Sequence, residues 1–519
     1  MIPPLLALSL WPLVAIFFFK RYSPAVAVSL TLVGGYLLLP VQGGLNLPVL
    51  PSLTKVTIPS LTVVILGAWI LKSRAKEFAP GSIQPGWLPK NKIILTLFVV
   101  TLVASFLTVM ANGDRLVYGF TTIQGLRPYD AFSLSMRTFM VLLPLLLARK
   151  YLARPEDHRT LLIVFCVAGL AYSLPALVEV RMSPQISRWT YGFFPHDWRQ
   201  HVRGGHFRPV IFLEHGLHLG IFFAGAVLAT AALLRMEQGK RGKYLLAICW
   251  LMAVLFLSRT LGAFLITLLL LPVALAFKAR LQMICMGVLA SIVLLYPMVR
   301  GADLVPTDRA VELAERIDPA RAQSLWFRFK NEDILLEKAN ERPLLGWGSW
   351  GRNRVYDEVG RDISVTDGTW VIFIGSDGWV GYIGKFGLLT VPIILLAFSR
   401  RRYTVTLATS GLCIVIIANL ADMIPNSSLT AVTWLMAGAL IGRLELERSG
   451  QEQDGEAQAV APALPGGRPG YSRRPPRPIP QRSGAASAHT PKHAGPKHAK
   501  LGYTRPRPAH GKARQTGAG

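Results

Sequence analysis

The chain has 519 residues, 51% of them hydrophobic, a formal net charge of +27 and a mean hydropathy of +0.39. Its apolar residues come in long runs without the period of a surface helix or strand, which excludes a soluble globular fold. The basic excess sits at one end and in short loops between those runs, which argues against a specific nucleic-acid binder.

A bilayer core takes about 20 apolar residues per helix. Backbone in lipid must also satisfy its own hydrogen bonds. The runs therefore predict an all-α polytopic membrane protein with 12–13 spans, a transmembrane domain over 1–446 and a tail over 447–519. The first six spans fall at 3–19, 24–40, 56–71, 93–111, 132–148 and 160–180. The first lacks a charged leader and an A-x-A site, so it reads as a retained helix.

A polar loop, 181–208, follows. Its end, Arg199-Gln-His-Val-Arg203-Gly-Gly-His206-Phe-Arg208, offers Arg203 and Arg208 as clamps for a phosphate or a sugar carboxylate. The seventh span, 209–233, opens with Glu214-His215-Gly-Leu-His218, where His215 is a substrate-binding candidate. Those three side chains at one-turn spacing also suit a metal, but no further Cys/His cluster accompanies them in sequence, and no metal or cofactor is assigned. A polar helix start is the plainer alternative.

Spans eight and nine, 244–257 and 261–277, form one apolar stretch broken only by Ser258-Arg259-Thr260. A single helix of that length would run to roughly 50 Å, which predicts a bend at Arg259. A charge there marks function or snorkels to headgroups. The tenth span is 282–299.

Residues 300–368 carry eleven Lys/Arg against thirteen Asp/Glu and read as a folded layer outside the membrane. Asp318-Pro319 opens a helix. Arg321 and Arg328, seven apart, share one of its faces and suit one extended anion. A Gly/Trp loop ends it, Pro343-Leu-Leu-Gly-Trp-Gly-Ser-Trp-Gly351. Trp347 is the sugar-platform candidate here, with Trp326, Trp350 and Trp370 beside it. Asp367 enters the eleventh span, 369–398, either as a helix cap or as a general base. Asp377 lies deeper, where a charge is costly.

The last spans are 404–420 and 429–444. Lys/Arg clusters fall in alternate loops, which places the N-terminus outside and the tail in the cytoplasm. From Gly467 the tail is basic, free of acids and rich in Pro, Gly, Ala and His, a composition expected to be disordered. Cys166, Cys249, Cys285 and Cys413 all lie in apolar runs, and no disulfide is expected.

A Ser-Arg bend between spans, a large late loop, an arginine-bearing helix ending in Pro-Leu-Leu-Gly-Trp-Gly and a polar entry to a glycine-rich span together resemble the O-antigen ligase and O-antigen polymerase superfamily over roughly 200–400. The resemblance implies a cofactor-free, metal-independent, inverting transfer of an undecaprenyl-diphosphate-linked saccharide to a glycan or lipid acceptor, on the outer face of the bacterial inner membrane, with chain-length regulators as further partners. By position Arg259 matches the Ser-Arg motif, and Arg328 matches the loop-helix arginine; both would hold the diphosphate. Where the family commonly has His-Asn, this chain has Thr366-Asp367-Gly368, so Asp367 takes the base role. The rival readings are a flippase for lipid-linked sugars, whose paired broken helices are not apparent, and a scaffold acting through its tail.

Overall fold

A computed structural model describes residues 1–45, 51–79, 81–203, 205–316, 318–400 and 404–460, the side chains of Arg203, Ala320, Arg321 and 447–460 excepted. The predicted tail from 461 onward lies outside the described residues.

Sixteen α-helices are described, in chain order α1 (Pro4–Arg21), α2 (Pro24–Leu38), α3 (Ile58–Leu66), α4 (Lys92–Met110), α5 (Pro128–Tyr151), α6 (Pro155–Met182), α7 (Ile186–Tyr191), α8 (Gly216–Met236), α9 (Arg241–Leu257), α10 (Leu261–Ala276), α11 (Ala279–Gly301), α12 (Thr307–Glu315), α13 (Pro319–Asn340), α14 (Thr369–Ser399), α15 (Leu407–Asp422) and α16 (Ala431–Val460). Proline at the first helical position, where its missing N–H costs nothing, opens α2, α5, α6 and α13. Seven helices (α1, α4, α5, α6, α8, α11 and α14) are long and apolar enough to cross a membrane, and α2, α10, α15 and the stretch Ile58–Leu71 are shorter apolar helices. The protein is thus an all-helical, multi-pass membrane protein.

Helix α8 is buried along almost its whole length, with α6, α9, α10 and α15 around it. Lipid supplies no hydrophobic drive between helices, so close packing relies on small residues. Gly169 of α6 faces Ala226, Gly411 of α15 faces Ala232, and Gly438 of α16 lies on the Leu145 backbone of α5. Arg149, in the last turn of α5, is buried at 1% exposure, with Nη2 2.7 Å from Glu445 Oε2.

Three boundaries depart from the sequence reading. The seventh span starts at Gly216 rather than 209, because residues 209–215 run through an irregular turn, with Ile211 at a left-handed φ of 57°, held by buried side chains. Helix α14 breaks at Gly378 (φ 67°, ψ −174°), a backbone geometry open essentially to glycine alone. Helix α16 runs on to Val460, past the expected tail boundary at 446, since Glu, Gln and Ala favour helix until Pro462. Two small antiparallel ribbons also appear: β1 (Leu116–Tyr118) with β2 (Thr121–Ile123), and β3 (Val202–Arg203) with β4 (His206–Phe207).

Candidate functional site

At one end of the bundle a cavity of about 1110 Å³ opens between the start of α8, the α9–α10 bend, α13, the entry to α14 and the end of α15. Arg208, His215, Arg259, Arg328 and Asp367 all line it. Five of the eight residues picked from sequence thus converge, from segments up to 159 residues apart (367 − 208).

The bend at Arg259 is as predicted, with α9 ending at Leu257 and α10 starting at Leu261. Arg259 takes a left-handed φ of 55°, uncommon for a residue with a Cβ, which turns its exposed side chain to the cavity. Three contacts fix the turn. Ser258 Oγ donates to the Val254 carbonyl at 2.8 Å, Arg208 Nη2 donates to the Arg259 carbonyl at 3.2 Å, and Thr260 fills the space that a side chain at Gly220 would occupy. Gly216 likewise leaves room for the stem of Arg208. The glycines of the α8 entry are therefore a seat for the Ser-Arg-Thr bend.

Helix α13 begins at Pro319, as the Asp-Pro pair predicts. Its Ser324, Leu325, Phe327 and Arg328 face the cavity. Arg328 Nε lies 3.7 Å from Asp367 Oδ2, with both groups about a third exposed. The N-cap of α14 is Gly368, without any side-chain cap, so Asp367 is not capping that helix and its carboxylate is turned to Arg328. Arg321 and Arg203 have side chains outside the described residues.

His215 caps α8: its Nδ1 accepts from Leu217 N–H at 3.1 Å. Burial pushes the imidazole down to about 2, with His201 and Arg208 adding to the shift, so the ring is neutral. The one-turn spacing of Glu214, His215 and His218 does not bring all three together: Glu214 Oε2 lies 4.0 Å from His218 Nδ1, but His215 turns elsewhere. His218 Nε2 donates to the Ser427 carbonyl at 3.0 Å, while His215 packs against His196 and His201.

Trp347 is a correction. It lies away from the cavity, 5% exposed, with Nε1 donating to the Lys338 carbonyl at 2.7 Å and its ring between Lys338 and Arg342. Its loop docks on the break in α14. Trp347 N–H bonds Gly375 O at 2.9 Å, Gly348 N–H bonds Ser376 O at 2.8 Å, and Trp379 N–H bonds Pro343 O at 2.8 Å. The Gly/Trp loop thus satisfies backbone that a broken membrane helix would leave bare. Trp370 is core, 1% exposed, against Tyr296. Asp377 is also accounted for: its Oδ2 accepts from Ser376 Oγ at 2.6 Å and from Lys385 Nζ at 2.8 Å.

Sequence reasoning missed the residues that hold the segment between Arg208 and Glu214, both of which line the cavity. Glu179 accepts from the Val210 and Ile211 amides at 2.7 and 2.9 Å and from Ile186 N at 2.9 Å, and Lys55 Nζ donates to the Phe212 carbonyl at 2.9 Å. An acid inside an apolar run was the available signal for Glu179. Asp422, 2% exposed, ends α15 and lines the cavity floor beside Asn426, whose Nδ2 donates to its Oδ1 at 2.9 Å. Comparison with protein-family models, with curated proteins and with solved structures finds no match to this chain.

Proposed function

We propose that this protein is a membrane glycosyltransferase of the O-antigen polymerase or ligase type, transferring a saccharide from an undecaprenyl-diphosphate carrier to a glycan or lipid acceptor on the outer face of a bacterial inner membrane. The observation that carries the reading is the convergence of Arg259, Arg328 and Asp367, three residues remote in sequence, on one cavity at the end of a membrane bundle.

In this reading the acceptor hydroxyl oxygen forms a bond to the anomeric carbon as the bond from that carbon to the diphosphate breaks, with inversion. Charge grows on the leaving diphosphate. Arg259 and Arg328 meet it with fixed donors, the kind of stabilisation that lowers such barriers most. The acceptor's proton passes to Asp367. Arg328 Nε lies 3.7 Å from Asp367 Oδ2. A diphosphate that draws Arg328 away releases the carboxylate to act as base, so donor binding and base activation are one event. Arg208 acts as a positioning residue through the Arg259 carbonyl.

The test is the envelope glycan profile, by gel and by mass of lipid-linked intermediates, in a deletion strain complemented at matched expression. Arg259→Ala, Arg328→Ala and Asp367→Asn are each expected to cut joining by about 100-fold or more, with lipid-linked glycan accumulating. Stalled single units indicate a polymerase, and stalled long chains a ligase. A normal profile from all three variants would overturn the reading and favour a transporter or scaffold.

A further inference from the structure

Beside the arginines, the same end of the bundle gathers three imidazoles that glycosyl transfer does not use. His196 comes from the loop after α7, His201 ends the short turn Trp198–His201, and His215 stands at the entry to α8. One ligand nitrogen from each lies within 4.8 Å of the other two. The ring centroids are 4.8 Å (His196–His215), 4.9 Å (His201–His215) and 5.5 Å (His196–His201) apart.

We propose that His196, His201 and His215 form a binding site for a divalent transition-metal ion, with Zn²⁺ the natural probe. Three imidazole nitrogens with no carboxylate among them suit Zn²⁺, Ni²⁺ or Cu²⁺ over Mg²⁺ or Ca²⁺. A tetrahedral zinc with nitrogens at 2.0–2.1 Å sets its ligands about 3.4 Å apart, so the cluster closes by roughly 1 Å on binding. His196 is exposed and on a loop, and it supplies that movement, while His201 is fully buried.

His196 and His215 line the cavity. The fourth position therefore opens toward Arg208 and Glu214, leaving a place for water or an anionic oxygen, as in zinc sites that keep one coordination position free. Edge-to-face packing of three rings is the plain alternative, and Phe194 does join His201 in such a contact. Packing alone does not account for two of the rings facing a cavity that Arg208 and Glu214 also line.

Binding has one local cost. Leu217 N–H donates to His215 Nδ1, so the proton of that neutral ring is on Nε2. An ion taken at Nε2 moves the proton to Nδ1, and one taken at Nδ1 replaces the hydrogen bond directly. In both cases α8 gives up its cap, and the Leu217 amide becomes free to exchange.

The experiment uses the full-length protein, purified with a tag other than polyhistidine, stripped with chelator and titrated with Zn²⁺, with bound metal counted by mass spectrometry. Wild type is expected to hold one tight equivalent over the weak background of His489, His493, His498 and His510 in the tail. His196→Gln and His215→Gln are each expected to weaken that equivalent at least 100-fold, whereas His206→Gln, on the neighbouring ribbon, leaves it unchanged. His196 is exposed, so its variant should melt with wild type in the absence of metal. A wild type that retains no more zinc than His196→Gln, or an equivalent that survives in both cluster variants, would overturn the site. Neither result depends on glycan joining.

Discussion

Arg259 separates two effects that a single alanine would merge. Its φ of 55° strains any residue with a Cβ, while its guanidinium is the group proposed to meet the diphosphate. Arg259→Gly should relax the bend and melt above Arg259→Ala, by about 1 kcal/mol, yet both should be inactive; thermal unfolding in detergent beside the glycan profile checks this. Glu332 of α13 is a second informative residue. Burial raises its carboxyl from 4.5 to about 7, and Arg300, at 3.7 Å, offsets only part of that. A folded-state pKa above the unfolded one means the folded protein holds the extra proton. Stability is then full below about pH 4.5 and falls as pH rises through about 7. Glu332→Gln should flatten that slope, gaining about 1–2 kcal/mol over wild type at pH 8 and almost nothing at pH 4.5, read from melting midpoints across the range.

Among the elements, α14 shows why the Gly/Trp loop matters. Sequence marked Pro343–Gly351 as a Gly/Trp loop offering Trp347 to a sugar, but what the loop meets is α14 itself. A Cβ at Gly378 would sit on the Leu344 carbonyl, and φ there is 67°. Gly378→Ala should therefore cost about 3 kcal/mol or more and reduce the folded yield in membranes, measured by fluorescence-detected size exclusion. Hydropathy predicted where α14 begins and ends but not that it breaks, since a glycine inside an apolar run looks the same whether it packs or kinks. The start of α8 was misplaced for a related reason. Residues 209–213 are apolar, and the distant Glu179, Tyr172 and Lys55, which bond their backbone, hold them out of the helix.

For the whole molecule, the run lengths alone gave the all-helical membrane architecture, because the bilayer leaves a chain so few options. Convergence on the cavity was legible where a charge interrupted an apolar run or sat on a periodic helix, as at Arg259 and Arg328, and where polar residues led into a span, as at Arg208, His215 and Asp367. The histidine cluster was not legible: His196, His201 and His215 share no spacing, and folding of the 181–208 loop brings them together. If the cavity is the working part, removing residues 461–519 should leave glycan joining within about twofold of full length, whereas loss of function on that deletion would return attention to the tail as a scaffold. Because residues 343–348 are bonded into α14, the C-terminal end of α13 is anchored, and the helix extends from there like the jib of a crane. Arg300 steadies it near the middle through Glu332 and Asp333. Its outer end, with Asp318 on the cavity rim, has the longest lever arm. If donor binding pulls on Arg328, α13 is expected to turn about that anchored end, and labels at Asp318 should then register a larger displacement than labels near Asn340.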